Sequence, residues 1–289
     1  MSGPHRIASG RTASHNQFVA HNGWKRRIER AEELVGQYPF AAEILRFYLT
    51  IARFQADLFA RLQSASSSSP KAGSPSSTSG PPELSELISS FRPFLATVDR
   101  HGPRPVAEQA RELQSRSEQV CEQLLNDFWD APVKVQEPSS DANEFFARAF
   151  LQPYAEFVRL RGDVSWDGYS GSTCPFCGRK PGVGVLRQQG DGGRRSLLCS
   201  FCQAEWEFRR IVCAACGEED HQKLPVYTAA EFAHVRVECC DHCQHYIKTV
   251  DLTKTGLAEP QVDELASIPL DLWAGEHGYT KLQRNLLQL

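Results

Sequence analysis

Cys174-Pro-Phe-Cys177, Cys199-Ser-Phe-Cys202, Cys213-Ala-Ala-Cys216 and Cys240-Asp-His-Cys243 decide the reading of the second half of this chain. The four Cys-x-x-Cys pairs are separated by 21, 10 and 23 residues. Each pair makes a turn whose two thiolates converge on one ion, and two such knuckles complete a tetrahedron. About 20 residues carry a strand out and a strand back, whereas about 10 hold one strand and a turn. The spacing therefore pairs Cys174 and Cys177 with Cys199 and Cys202, and Cys213 and Cys216 with Cys240 and Cys243; crossed pairing is the alternative. Two metal ions per chain follow, each bound by four cysteines. Sulfur-only tetrahedral sites select Zn or Fe, and spacing does not separate these. With every position a thiolate, neither site keeps a place for substrate, which argues against metal hydrolase chemistry.

Nine of the ten cysteines lie between Cys174 and Cys243. In a reducing compartment such clustering reads as metal ligation, and redox catalysis by Cys-x-x-Cys needs a βαβ setting that these segments lack. Cys239 abuts Cys240, but the Cys240-x-x-Cys243 spacing matches the other knuckles and leaves Cys239 a non-ligand. His242 and His245 read as polar side chains beside a turn that already has four thiolates. Cys121 falls on the apolar face of a helix as a buried thiol.

Around the cysteines the pattern is β-like. Val183–Leu186, Arg195–Leu198, Glu205–Phe208, Val226-Tyr227, Val235–Val237 and Tyr246–Val250 are short runs bounded by Gly, Pro or Cys pairs. Upstream it is helical: Phe40, Ile44, Phe47, Ile51, Phe54, Leu58 and Leu62 recur at steps of three and four. Trp24–Val35 precedes them as a further helix. The period returns from Leu84 to Leu95 and from Val106 to Phe128. A last helix begins at Asp141, with Glu144 in capping-box spacing, and Pro153 kinks or splits it. Ser64–Pro82 is a Ser/Pro-rich flexible insertion. A short helix around Val262–Leu265 precedes a tail from Ile268.

The fold class is thus α+β, an N-terminal α-helical domain followed by two tandem rubredoxin-like or zinc-ribbon β modules. Its parts are a disordered or extended N-terminus over 1–23, a helical domain over 24–170, a first four-Cys module over 171–212, and a second over 213–289 with the C-terminal tail.

The chain has 32 Lys+Arg and 35 Asp+Glu among 289 residues. Before Gly171 the balance is 19 to 20, and from there on 13 to 15. Neither half has the cationic excess of a generic nucleic-acid or membrane-surface binder. The N-terminus lacks a signal-peptide pattern and no apolar run reaches about 18 residues, so a cytoplasmic protein is expected. Arg194, Arg195, Arg209 and Arg210 read as a solvated hairpin face with Asp191, Glu205 and Glu207. Phe176, Phe201 and Trp206, beside the knuckles, are candidate partner anchors, with packing across the hairpins as the competing reading.

Several segments resemble one family. They are Cys-Pro-x-Cys-Gly at 174–178, Leu-Cys-x-x-Cys-x-x-Glu-Trp at 198–206 and Arg-x-x-Cys-x-x-Cys at 210–216, with Glu-x-Cys-x-x-Cys-x-x-Tyr-Ile-Lys at 238–248 and Leu-Asp…Glu-x-Gly-Tyr at 270–279. Together they resemble the formate dehydrogenase accessory protein family, FdhE-type; Gln-Pro-Tyr-x-Glu at 152–156 adds a weaker likeness. The resemblance implies a non-enzymatic factor that binds the formate dehydrogenase catalytic subunit in the cytoplasm and is needed for its activity. It also implies iron in some members, where zinc is the default for such ligands. Two other readings stay open from the residues alone: a zinc-ribbon protein associated with nucleic acid or transcription, and a rubredoxin-like electron carrier.

Overall fold

The apolar steps between Ile44 and Leu62 wind into one helix face, with Phe47, Ile51, Leu58 and Leu62 buried. The computed structural model describes residues 12–66, 84–131, 142–162, 165–190 and 192–288. Its helices are α1 (Thr12–Gln37), α2 (Ala42–Ser66), α3 (Leu84–His101), α4 (Arg104–Ser115), α5 (Glu118–Asp130) and α6 (Ala142–Arg161). Helix α1 begins at Thr12, so the expectation of disordered or extended chain over 1–23 is corrected for 12–23. Helix α2 likewise runs two residues past Ser64 into the expected insertion. The rest of that insertion, from 67, and the Asp141 cap lie outside the described residues.

Pro153 neither splits nor ends α6. A proline removes the N–H that would bond the carbonyl four residues back, that of Ala149. Gln55 Nε2 on α2 donates to that carbonyl at 2.6 Å and also reaches Gln152 Oε1 at 3.1 Å. A side chain from the neighbouring helix thus replaces the missing bond, and the helix continues.

Each of the six β-like runs marks a strand, Phe208 alone lying just past the end of its own: β1 (Pro181–Gln189), β2 (Gly192–Cys199), β3 (Glu205–Glu207), β4 (Val226–Thr228), β5 (Val235–Cys240) and β6 (His245–Asp251). Each module is a three-stranded antiparallel meander, and the two join into one sheet of order β3-β2-β1-β6-β5-β4. The seam is a parallel pairing of β1 with β6, Gly184 to Thr249 through Leu186 to Asp251. Gly184 permits it, since a Cβ there would stand 2.2 Å from Thr249 Oγ1. After β6 come α7 (Pro260–Ala266), α8 (Ile268–Glu276) and β7 (Thr280–Lys281), the last paired with β6. The expected tail therefore contains a helix and a strand.

Two apolar clusters hold these layers together. One joins α2, α3, α5 and α6 to Cys174, Leu197, Phe201 and Trp206 of the first module. The other packs Leu34, Leu45 and Tyr48 against Val185, Val235, Val237, Val250 and the α7–α8 residues Val262, Leu265 and Leu270. Buried ion pairs span the same interfaces. Arg27 on α1 meets Glu156 on α6 through two bonds of 3.0 Å. Arg30 on α1 meets Asp263 on α7 at 2.6 Å. Among the described residues, no helix is long and apolar enough to cross a membrane.

Candidate metal centres

Each of the four knuckles turns on the residue after its second cysteine. Gly178, Gln203, Gly217 and Gln244 all have left-handed φ, at 72, 60, 80 and 58°. That conformation aims the following chain away and lets the turn close, as in Gly178 N–H to Cys174 C=O at 2.8 Å and Gln244 N–H to Cys240 C=O at 2.8 Å. Glycine adopts it freely, whereas glutamine does so at a cost of about 1 kcal/mol or more.

The eight cysteines form two groups, Cys174, Cys177, Cys199 and Cys202, and Cys213, Cys216, Cys240 and Cys243, each with its sulfurs within 4.8 Å of one another. In the first group Cys174 and Cys202 sulfurs are 3.5 Å apart, and those of Cys177 and Cys199 3.4 Å. In the second the corresponding gaps are 3.7 and 3.8 Å. A tetrahedral metal with metal–sulfur bonds of about 2.3 Å sets its ligands about 3.8 Å apart. Donor set and spacing therefore fit a four-thiolate ion at each group, in the pairing that the gaps predict. Backbone N–H groups point at the sulfurs as well, Phe201 to Cys199 and Ala215 to Cys213, both at 3.3 Å. Burial pushes the Cys199 and Cys213 thiols up, and such bonds act against it by favouring the thiolate.

The two centres differ in cover. At the first, Cys174, Cys199 and Cys202 are buried and Cys177 is half-buried. Helix α6 grips its second knuckle: Arg159 donates to Cys202 C=O at 2.8 Å and Arg148 to Ser200 C=O at 3.2 Å. At the second, Cys216 is exposed and Cys243 half-buried. Its second knuckle is tied by the C-terminal segment, through Tyr279 Oη to Asp241 at 2.6 Å and Thr280 N–H to Gln244 C=O at 2.8 Å.

Cys239 stands outside both groups, buried in the cluster beneath β5, where desolvation pushes its thiol up to about 12. His242 faces Glu218 at 3.5 Å, and His245 Nδ1 lies 2.8 Å from Cys243 C=O. Cys121 is buried, and desolvation raises its thiol.

Phe201 and Trp206 follow the packing reading and are not exposed as anchors would be. Both are buried: Phe201 packs edge-on against Phe128 at 5.3 Å, and Trp206 Nε1 donates to Gly171 C=O at 2.9 Å. A helical domain laid over the first module covers the aromatics that would be surface in a free ribbon; Phe176 is half-buried at its margin. Arg195 also departs from the expected solvated face. Its side chain is 2 % exposed and bonds Glu238 of β5 at 2.6 Å and Arg209 C=O at 2.9 Å. Its hairpin neighbours Arg194, Arg209 and Arg210 are exposed.

The flanking Lys248 is wholly buried. It bonds Asp271 at 2.6 Å and lies 3.1 Å from Glu264, with Lys281 completing the cluster. Tyr246 Oη joins it through Asp271 at 2.8 Å. Lys248, Asp271 and Tyr279, all within the quoted motifs, thus lock β6 to α8 and the C-terminal segment. Nothing in their sequence spacing signals that, because the partners lie 23 to 38 residues apart.

The domain models described as FdhE central domain and FdhE C-terminal domain match residues 173–210 and 211–288. An FdhE homologue from Aquifex aeolicus is 29 % identical over 273 residues, 90 % of this chain and 93 % of that protein. One from Pseudomonas aeruginosa is 39 % identical over 123 residues, 41 % of this chain and 40 % of its own length. The crystal structure of the FdhE protein from Pseudomonas aeruginosa matches with a TM-score of 0.65 at 26 % identity, covering 93 % of this chain and 96 % of that one.

Proposed function

Because this chain belongs to the FdhE family, we propose that it is a non-catalytic formate dehydrogenase accessory protein that binds the catalytic subunit in the cytoplasm during maturation. The observation that carries this reading is the pair of four-cysteine groups, whose ligands fall in both matched FdhE domains. Four thiolates on one ion leave no coordination position for a substrate, so the ions act as braces that hold the ribbon surfaces in shape. Zinc or iron fits either group, and their binding free energy becomes folding free energy of the modules.

Affinity purification of the tagged chain from cytoplasm tests this. The expected result is recovery of a formate dehydrogenase catalytic subunit, lost when Cys240 and Cys243 are replaced by serine. Recovery of nucleic acid or polymerase components without formate dehydrogenase would overturn it.

A further inference from the structure

β1 and β4 are the first strands of the two modules, and only β1 is covered on its outer edge. There β6 runs parallel to it, as the third strand of the other module. β4 holds the matching place in the second module, yet it ends the strand order. All three of its residues are exposed, Val226 at 52 % and Tyr227 at 37 %. The direction of its free backbone follows from the ladder. Cys239 N–H donates to Pro225 C=O, and Asp241 N–H to Lys223 C=O, both at 2.9 Å. Antiparallel pairs alternate, so Tyr227 bonds inward to β5, and the N–H and C=O of Val226 and Thr228 point away from the sheet. An edge of this kind is a template for another strand.

Beside β4 lies a cavity of about 160 Å³, between the sheet face and the segment leading into Cys213. That is close to the volume that accepts a benzene ring. Its charged lining is three guanidiniums, Arg195, Arg210 and Arg236, against one carboxylate, Glu238. Arg195 and Arg236 both bond Glu238, at 2.6 Å each, while Arg210 is exposed and has no ion pair among the described residues. Arg195 keeps its buried Nε–H without a partner. Val226 of β4 and Ile211, 59 % exposed, form apolar parts of the same lining.

We propose that β4 takes up an extended segment of a protein partner as an added parallel strand, with an acidic side chain of that segment entering the arginine-lined cavity. The proposal rests on the accessory reading in naming the partner, the catalytic subunit of formate dehydrogenase. Backbone pairing supplies the affinity that tolerates many sequences, and the surplus of guanidinium charge selects an acidic residue flanked by apolar ones.

The test is the affinity of the full-length, metal-loaded chain for purified catalytic subunit, for the parent, Thr228→Pro and Arg210→Glu. Proline at 228 removes an outward N–H and spares the ladder bonds to β5; Arg210→Glu reverses an exposed charge. Each is expected to weaken binding tenfold or more, with metal content, circular dichroism and solution mass unchanged. A parent that binds tightly, with both variants binding equally well, overturns the β4 proposal and leaves the accessory reading standing. A parent that holds no catalytic subunit sinks both. Self-association that Thr228→Pro abolishes, with affinity for the catalytic subunit unchanged, would make the occupant a second copy and also overturn the proposal.

Discussion

Replacing Asp263 by alanine strips one carboxylate from the seam between the helices and the ribbon modules. That carboxylate takes Arg30 at 2.6 Å through Nη2 and about as closely as 3.1 Å through Nε, and Glu259 N–H at 2.8 Å, while His234 Nε2 lies 2.7 Å away. Breaking a buried pair by removing one partner costs about 3–5 kcal/mol, because the other charge is left uncompensated. Glu33, half out in solvent at 2.8 Å from Arg30, returns about 1 kcal/mol at most. A loss near 3 kcal/mol is therefore expected, about a hundredfold rise in the unfolded fraction. Replacing both partners, Arg30→Met with Asp263→Leu, removes the stranded charge and is expected to cost about 1 kcal/mol or less. Urea unfolding of the metal-loaded protein, followed by circular dichroism, measures both. Burial opposes the Asp263 carboxylate, but His234 and Arg30 outweigh it and hold the pKa below 3.8. The folded state thus binds this proton less tightly than the unfolded one. Its stabilisation is complete above about 3.8 and fades as pH falls through the lower folded value. The parent should accordingly lose stability more steeply than Asp263→Asn below about pH 4. An Asp263→Ala loss under about 1 kcal/mol, or a double variant as damaged as the single one, would refute the assignment of this pair as the latch.

Chelator titration with a colorimetric metal indicator should release one equivalent well before the other, from the second centre with its exposed Cys216; equal rates would show that cover does not govern access. Cys239→Ser should retain two metal equivalents per chain and Cys240→Ser only one, by elemental analysis of purified protein. Gly184→Val should cost about 2 kcal/mol in urea unfolding, since its Cβ meets Thr249 at the β1–β6 seam, and Thr249→Ala in the same chain should recover part of it.

The two four-cysteine groups and the six strands were legible because their signals are local: a two-residue gap between cysteines, a run of two to five residues bounded by Gly, Pro or Cys pairs. What escaped the sequence depends on distant partners. Arg195 in Arg-Arg-Ser-Leu-Leu reads as a surface charge until Glu238, 43 residues on, buries it. Trp206 and Phe201 carry two readings, anchor or packing, and distant partners decide for packing: Phe128 and Trp129 of α5 cover Phe201, and Gly171 C=O holds the Trp206 indole. Helix α8, Ile-Pro-Leu-Asp-Leu-Trp-Ala-Gly-Glu, has apolar residues on all sides and so lacks the 3.6-residue contrast that identifies an amphipathic helix. The parallel seam gives no periodic sign at all, since it joins strands about 65 residues apart through one glycine.

The order of strands also fixes a symmetry. A first strand meeting a third strand is a heterologous contact, one that does not close on itself and in principle repeats without end. Here the two ends of the series differ: on β3, the outward C=O of Glu205 already accepts from Trp166 Nε1 at 3.3 Å, whereas β4 presents three exposed residues. A strand that extends the series is therefore expected to favour the β4 end.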